Sequence, residues 1–313
     1  MKHFIFLFFL PVIMTLSSCE SMVTDIPASK LPQTESRLVV QSFISPQADR
    51  INVAVSESIP LFGESRATES VLKDAIVKIS NGEKEIVIPY DLYRNLHSVE
   101  SAEFPIAASK TYTLTVIDRN RTVTAKCTVP AKAPDITTFT LDTLELNPQN
   151  VGPDQAVNLR MSWRDIAADT NFYRVKASML IDYGTPVYDD KKIVSEKRLS
   201  ATFNFQWDQG SGREEFQSDR TREGSLLTSP SGKVILPNVI VDGYNFFQTK
   251  RKIKWVEMEI FNTDVHYYKY HRSIEVRGDS DNPFSEPTII YSNIEGGLGC
   301  FGAYNSGKLV YRN

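Results

Sequence analysis

Residues 112–129 read Tyr-Thr-Leu-Thr-Val-Ile-Asp-Arg-Asn-Arg-Thr-Val-Thr-Ala-Lys-Cys-Thr-Val. Tyr112, Leu114 and Val116 alternate with polar residues, and so do Val123, Ala125, Cys127 and Val129. Successive side chains of an extended chain point to opposite faces, so each run makes a strand with one dry face and one wet face. The polar stretch Asp118-Arg-Asn-Arg121 between them has hairpin length. The same period of two recurs upstream at Ile51, Val53 and Val55. Asn81-Gly82, a strong turn dipeptide, divides residues 75–80 from 85–88 as a second hairpin. Short strands joined by turns at this spacing predict a β-sandwich over residues 35–130.

Pro130-Ala-Lys-Ala-Pro134 then breaks the pattern. Two prolines four residues apart remove ladder donors and favour extended backbone, which marks a boundary. Beyond it Val157, Leu159, Met161 and Trp163 alternate, then Tyr173, Val175, Ala177, Met179 and Ile181, which predicts a second sandwich over residues 135–313 with Trp163 facing Tyr173. The stretches 199–205, 233–241 and 253–261 add strands. Tyr267, Tyr270, His271 and Ile274 recur at helical spacing, which predicts one short helix over residues 264–277 with Asp264 as its N-cap. The polar, Gly- and Ser-rich stretch 206–232 reads as a long loop. The expected fold is therefore mainly β, two immunoglobulin- or fibronectin-like sandwich domains with one helix in the second.

The chain has 313 residues, 41% hydrophobic and 23% charged, as ordinary globular sequences do. Its 35 Lys and Arg against 38 Asp and Glu leave a net charge of −3, with no basic surplus to neutralise a phosphate backbone. That argues against nucleic-acid binding. The apolar run Phe4–Thr15 is too short to span a bilayer, which excludes a multispanning transporter. It follows Lys2 and precedes Leu16-Ser17-Ser18-Cys19, so residues 1–18 read as a secretory signal. The cysteine after the small residues resembles the lipobox of bacterial lipoproteins, in which the thiol receives lipid. Cys19 is then the lipidated first residue of the mature chain, and residues 19–34 are a tether. Acid near that anchor is limited to Glu20 and Asp25, which leaves both leaflet orientations open.

The tail Asn282-Pro-Phe-Ser-Glu-Pro-Thr-Ile-Ile-Tyr-Ser-Asn-Ile-Glu-Gly-Gly-Leu-Gly-Cys-Phe-Gly-Ala-Tyr304 resembles the ending of the Bacteroidota outer-membrane lipoprotein family known as domain of unknown function 4249. Cys19-Glu20, Ile26-Pro27, Arg37–Pro46, Val55–Ser58, Tyr112–Val116 before Val129-Pro130, and Tyr267-Tyr268 fit the same resemblance. It implies a β-rich body lipid-anchored at the outer membrane, often encoded near SusC-like, TonB-dependent receptors. It carries no catalytic residues. The expected role is an accessory or binding protein for nutrient capture. A surface hydrolase acting on glycan or peptide and a structural or adhesive envelope module are the alternatives.

Chemistry-bearing motifs are sparse. Gly297-Leu-Gly-Cys-Phe-Gly302 matches a dinucleotide fingerprint by letter only, because too few residues follow for the required helix and strand. His266 and His271 are five apart and share no helix face for zinc, and His271 reads as a packed, hydrogen-bonded side chain. Ser211 lacks an evident base. Asp279, Asp281, Asn282 and Glu286 fail the spacing of a calcium loop. Asp165 and Asp169 form an acidic turn rather than a catalytic pair. No metal or cofactor is expected. The residues placed to touch a partner or ligand are Trp207, Asn282, Phe284, Glu286, Gly296 and Gly297, although Trp207 more simply caps its own core and the tail glycines more simply close a sheet. After Thr288–Tyr291, read as a short strand, Cys300 stands in an apolar context, and a bond to Cys127 is left open.

Overall fold

Alternating residues bury on one side only when strands find partners, and in this protein the partners come from both ends of the chain. The structure, a computed structural model, describes residues 35–59, 71–146, 155–167, 170–190, 192–208, 215–219, 224–236, 239–242, 245–248, 251–278 and 289–313. The leader, Cys19 and the tether lie outside these residues.

The first half forms β1 (Leu38–Ile44), β2 (Arg50–Glu57), β3 (Ile76–Ser80), β4 (Glu85–Ile88), β5 (Tyr90–Asp91), β6 (Leu96–Glu100), β7 (Thr111–Asp118) and β8 (Arg121–Thr128). The β7–β8 hairpin closes on Asp118 opposite Arg121, with Tyr112 opposite Cys127. Asn81-Gly82 turns β3 into β4, Gly82 having φ 88°. β4-β3-β7-β8 is a four-stranded sheet. Its dry face packs on β1 and β2 to form a first core that includes Val40, Val53, Val77, Leu114 and Cys127. Each such aliphatic side chain contributes about 1.5–3 kcal/mol when fully buried.

The second half forms β9 (Ile136–Glu145), β10 (Gln155–Arg164), β11 (Phe172–Asp189), β12 (Lys192–Asn204), β13 (Gln206–Trp207), β14 (Phe216–Ser218), β15 (Leu226–Thr228), β16 (Gly232–Leu236), β17 (Val239–Asp242), β18 (Asn245–Gln248), β19 (Arg251–Thr263), the helix α1 (Val265–Gly278) and β20 (Leu298–Arg312). A five-stranded sheet built on β10 packs against β11 and β19 around Trp163, whose ring meets Tyr173 edge-on at 5.6 Å. The residues that alternated in sequence, from Val157 to Trp163 and from Tyr173 to Ile181, supply this second core.

β20 joins the two halves. Its first six residues pair in parallel with β1, from Val39 opposite Leu298 to Ile44 opposite Ala303. From Tyr304 to Arg312 it pairs antiparallel with β19. One nine-stranded sheet, β12-β11-β19-β20-β1-β2-β6-β5 with β14 beside β11, thus runs through the protein. Phe301 and Ala303 enter the first core, and Leu309 packs on the second. All three are odd-numbered residues of one strand, so both smaller sheets cover the same face of the long sheet. The helix occupies the other face, over Phe43, Phe261 and Tyr304. The proline-flanked linker crosses the covered face at the seam. Asn305 Nδ2 donates to the Pro130 carbonyl at 3.0 Å and Asn262 Nδ2 to the Lys132 carbonyl at 3.1 Å. A Cβ on Gly307 would overlap the Pro134 carbonyl.

Three local expectations change. Stretch 206–232 is not one long loop, because Phe216 and Leu227 bury and carry short strands onto β11 and β10. Tyr291, placed in a strand by sequence, has none: its N–H donates to Ser273 Oγ at 2.9 Å and its hydroxyl meets His266 Nδ1 at 2.7 Å, so side chains of the helix take the place of a ladder. Ile274 is 40% exposed, and the buried helical stripe runs through Tyr267 and Tyr270 and ends at His271.

Cys127 and Cys300 are both free and buried, and burial pushes each thiol up from its ordinary pKa. Neither should react with a thiol reagent in the native state, and both should react in denaturant, as a spectrophotometric thiol count will show. Gly307→Ala should cost about 2–4 kcal/mol in chemical denaturation, because the linker backbone must move. Gly82→Ala has open space around its Cβ and should cost only about 1 kcal/mol for its positive φ.

Candidate functional site

The seam is concave where β19 ends and the helix begins. Thr263 Oγ1 donates to the Phe172 carbonyl at 3.2 Å, and the Asp264 N–H donates to the Ala303 carbonyl at 2.8 Å, which fixes the chain as it turns off the sheet. Asp264 Oδ1 accepts from the N–H of Tyr267 at 2.8 Å, as a helix N-cap does. Its Oδ2 is buried without a hydrogen-bond partner. A cleft of about 420 Å³ opens beside it, lined by Pro130, Lys132, Ile166, Asn171, Phe172 and Asp264. Its size is that of a small-ligand site.

Burial is the main force on the Asp264 carboxyl. It pushes the pKa from 3.8 up to about 7, against the pull of the backbone N–H groups at the helix start. A carboxyl that changes charge near neutral pH in a cleft can accept or release a proton or meet a cationic ligand group. No hydroxyl or thiol nucleophile is hydrogen-bonded to it among the described residues.

Behind the cleft, the helix is clamped to the long sheet by an aromatic cluster. Arg174 bonds Glu215 at 2.6 Å, donates to the Tyr267 hydroxyl at 2.6 Å and lies over the Phe216 ring. His271 sits 4.9 Å from Phe43 and 4.4 Å from Tyr267, stacked on Phe216, with its Nε2 buried and lacking a partner. The sequence reading of a hydrogen-bonded imidazole is therefore corrected at that nitrogen: aromatic rings enclose it. Burial, reinforced by Arg174 and Lys176, pushes its pKa down to about 4.

On the other side of the helix start, His266, Lys126, Asn293 and Glu295 line a more open depression of about 650 Å³. Asn293 does structural duty there. Its Nδ2 donates to the Phe301 carbonyl at 2.8 Å and its Oδ1 accepts from the Phe301 N–H at 3.0 Å.

The residues singled out by sequence do not converge on one place. Trp207 lies against Gly232, where a Cβ would stand 2.6 Å from its ring, and packs on the second core. Gly296 and Gly297 form the bend into β20. The Gly297 carbonyl accepts from Arg37 Nη2 at 2.9 Å, and a Cβ at Gly297 would lie 2.8 Å from the Leu38 carbonyl. Asn282, Phe284 and Glu286 lie outside the described residues, as do Asp169, Ser211, Asp279 and Asp281. Asp264 was legible as a cap but not as a buried acid, because its burial comes from linker and strand residues far away in sequence. No group of three or more His, Cys, Asp or Glu able to hold a metal occurs among the described residues.

Stacked sheets sharing one long leaf, whose outer face carries the one helix of the described residues, define a mainly β protein of sandwich type. The chain belongs to the family described as "Domain of unknown function (DUF4249)", whose match spans residues 21–309. No curated protein matches it. Among solved structures it is similar to a chain titled "Biofilm associated protein - B domain", at 8% identity over 88% of this chain and 85% of that one. The TM-score of 0.14 is too low to bear on the fold.

The two titrating groups pull stability in opposite directions. Asp264 has a raised folded pKa, so the stability linked to it is lost as pH rises from about 4 through about 7. His271 has a depressed folded pKa, so its contribution is lost as pH falls below 6.5 towards about 4. Asp264→Asn keeps a capping oxygen, and between pH 5 and 8 its stability relative to wild type should improve by about 2–4 kcal/mol. His271→Phe should abolish the loss on acidification. Urea titrations across pH will give both slopes.

Proposed function

We propose that this protein is a lipid-anchored accessory protein of the bacterial outer membrane, of the Bacteroidota type, that works beside a TonB-dependent receptor in nutrient capture. The observation that carries the reading is Cys19, placed directly after a charged start, an apolar run and the small residues Ser17 and Ser18. Membership of the family and the β-rich body support it.

In this reading the lipid on Cys19 holds the chain to the membrane, because two or more acyl chains make anchoring durable where one does not. Residues 19–34 are the tether between that lipid and the body. Confinement to the receptor's own surface raises the effective concentration of the body without any added contact. The seam cleft beside Asp264 is where a small polar nutrient is held before hand-over.

Mass spectrometry of protein purified from membranes is expected to find residue 19 as an acylated N-terminus. Cys19→Ala should move the protein from the membrane to the soluble fraction, and mild detergent extraction of wild type should recover a TonB-dependent receptor with it. An unacylated Cys19, or recovery of the leader intact, overturns the anchoring. Turnover on a panel of glycans and peptides in the absence of any receptor would favour a hydrolase.

A further inference from the structure

The stretch Asp91-Leu92-Tyr93-Arg94-Asn95 carries the chain from β5 into β6. It folds on its own polar groups. Asp91 Oδ1 accepts from the N–H of Tyr93 at 2.9 Å and of Arg94 at 3.2 Å, and Arg94 pairs with Asp91 Oδ2 at 2.7 Å. The Tyr90 hydroxyl bonds Asn95, which takes the left-handed conformation at φ 55°. The turn is thus shaped without its two apolar side chains, and both are left outside: Leu92 is 78% exposed and Tyr93 100%. Two adjacent large apolar side chains that add nothing to a core point to a partner beyond the chain.

The sheet register shows which end of the body carries this turn. β6 is antiparallel to β2 with His97 opposite Val53, so residues 92–95 lie beyond that pair, towards Glu57. Glu57 stands opposite Leu38, the first residue of β1. The β7–β8 turn belongs to the same end, because Arg121 bonds both Glu57 and Asp118. β3 begins there as well, with Ile76 opposite Ile117 and 48% exposed. One end of the first sandwich therefore gathers Leu92, Tyr93 and Ile76, with the exposed cations Arg94 and Arg119 on its two turns.

This is also the end at which the chain enters the sheet, since the residues before Leu38 lead back to Cys19. β20 runs from Leu298, opposite Val39, away to Arg312 in the second half. Farther still along the long sheet lies the β11–β12 hairpin, with Val187 opposite Ser195.

We propose that this end of the first sandwich is a membrane-contact surface, on which Leu92 and Tyr93 enter the interfacial layer of a bilayer while Arg94 and Arg119 meet lipid phosphates. The proposal rests on the anchoring proposed above, which brings a bilayer to the chain at Cys19. A tyrosine suits that layer, because its ring is apolar and its hydroxyl stays at the level of the headgroups. The arginines keep their charge among the phosphates and lay their stems along apolar surface. So small an apolar surface binds weakly and reversibly, so holding the protein is the task of the acyl chains. What the turn sets is the direction in which the body faces, with the β11–β12 hairpin away from the bilayer.

The test uses the full mature chain in vesicles of phosphatidylethanolamine and phosphatidylglycerol. Leu92→Cys and, at the far end, Ser195→Cys are each labelled with an environment-sensitive fluorophore; Cys127 and Cys300 are buried and do not compete. Emission at position 92 should shift to the blue on the vesicles and be quenched by spin-labelled lipid, and emission at position 195 should do neither. Equal quenching at the two positions, or none at 92 while residue 19 is acylated, overturns the proposal. A blue shift at 92 that needs no lipid and grows with protein concentration marks a second copy as the occupant and overturns it too. Mass spectrometry of residue 19 in the same samples judges the anchoring separately. In a chain carrying Cys19→Ala, which has no acyl group, Leu92→Ser with Tyr93→Ser should lower partition into the same vesicles at least about tenfold, the loss expected for one buried apolar side chain or more. The unfolding midpoint should stay as it was, since neither side chain packs on a core. A Cys19→Ala chain that does not partition, or whose partition the double substitution leaves unchanged, sinks the assignment.

Discussion

Everything in this fold depends on the pairing of the last strand with the first. β1 has an antiparallel partner, β2, on one side only. Its other edge is satisfied by Leu298–Ala303 in parallel. Without β20 the long sheet falls into two pieces, each core loses part of one wall, and two rows of backbone donors and acceptors face solvent. With it, the backbone hydrogen bonds run unbroken across the seam, and the linker can lie over that seam with its carbonyls bonded to Asn262 and Asn305.

The helix follows from the same arrangement. Phe43 of β1, Tyr304 of β20 and Phe261 of β19 share the outer face of the long sheet, and α1 covers this row with Tyr267 and His271. The start of the helix must therefore sit where β19, β20 and the linker meet. That placement buries Asp264 and makes its carboxyl far more basic than a solvated aspartate. A capping residue chosen for a helix terminus becomes a titrating group because of what packs around it.

Local chemistry was legible in the sequence wherever one strand reports on its own two faces. Val123, Ala125 and Cys127, or Val157, Leu159 and Met161, reveal dry faces by alternation alone. The meeting of Trp163 with Tyr173 could be foreseen because one turn joins their strands. The parallel pairing of β1 with β20 has no such signature, since parallel partners need no shared turn and leave no mark on either segment. Sequence spacing sets Asp165 beside Asp169, whereas the acid next to it among the described residues is Asp219, which lies far along the chain. Phe216 and Leu227 each bury one side chain in a strand of three residues, too short to establish a period. Tyr291 looked extended because it stands in an apolar run, yet side chains of the helix hold it.

A ribosome makes this polypeptide amino end first, so β20, which completes the sheet of the first half, follows every other described strand. Until it is made, the leading half travels with an open edge and a gap in its interior at Phe301. Contacts spanning almost the whole polypeptide make for slow collapse into the final form. The first half therefore stays incomplete until β20 has been made. β20, far along the chain from the sheet it completes, acts here as the keystone.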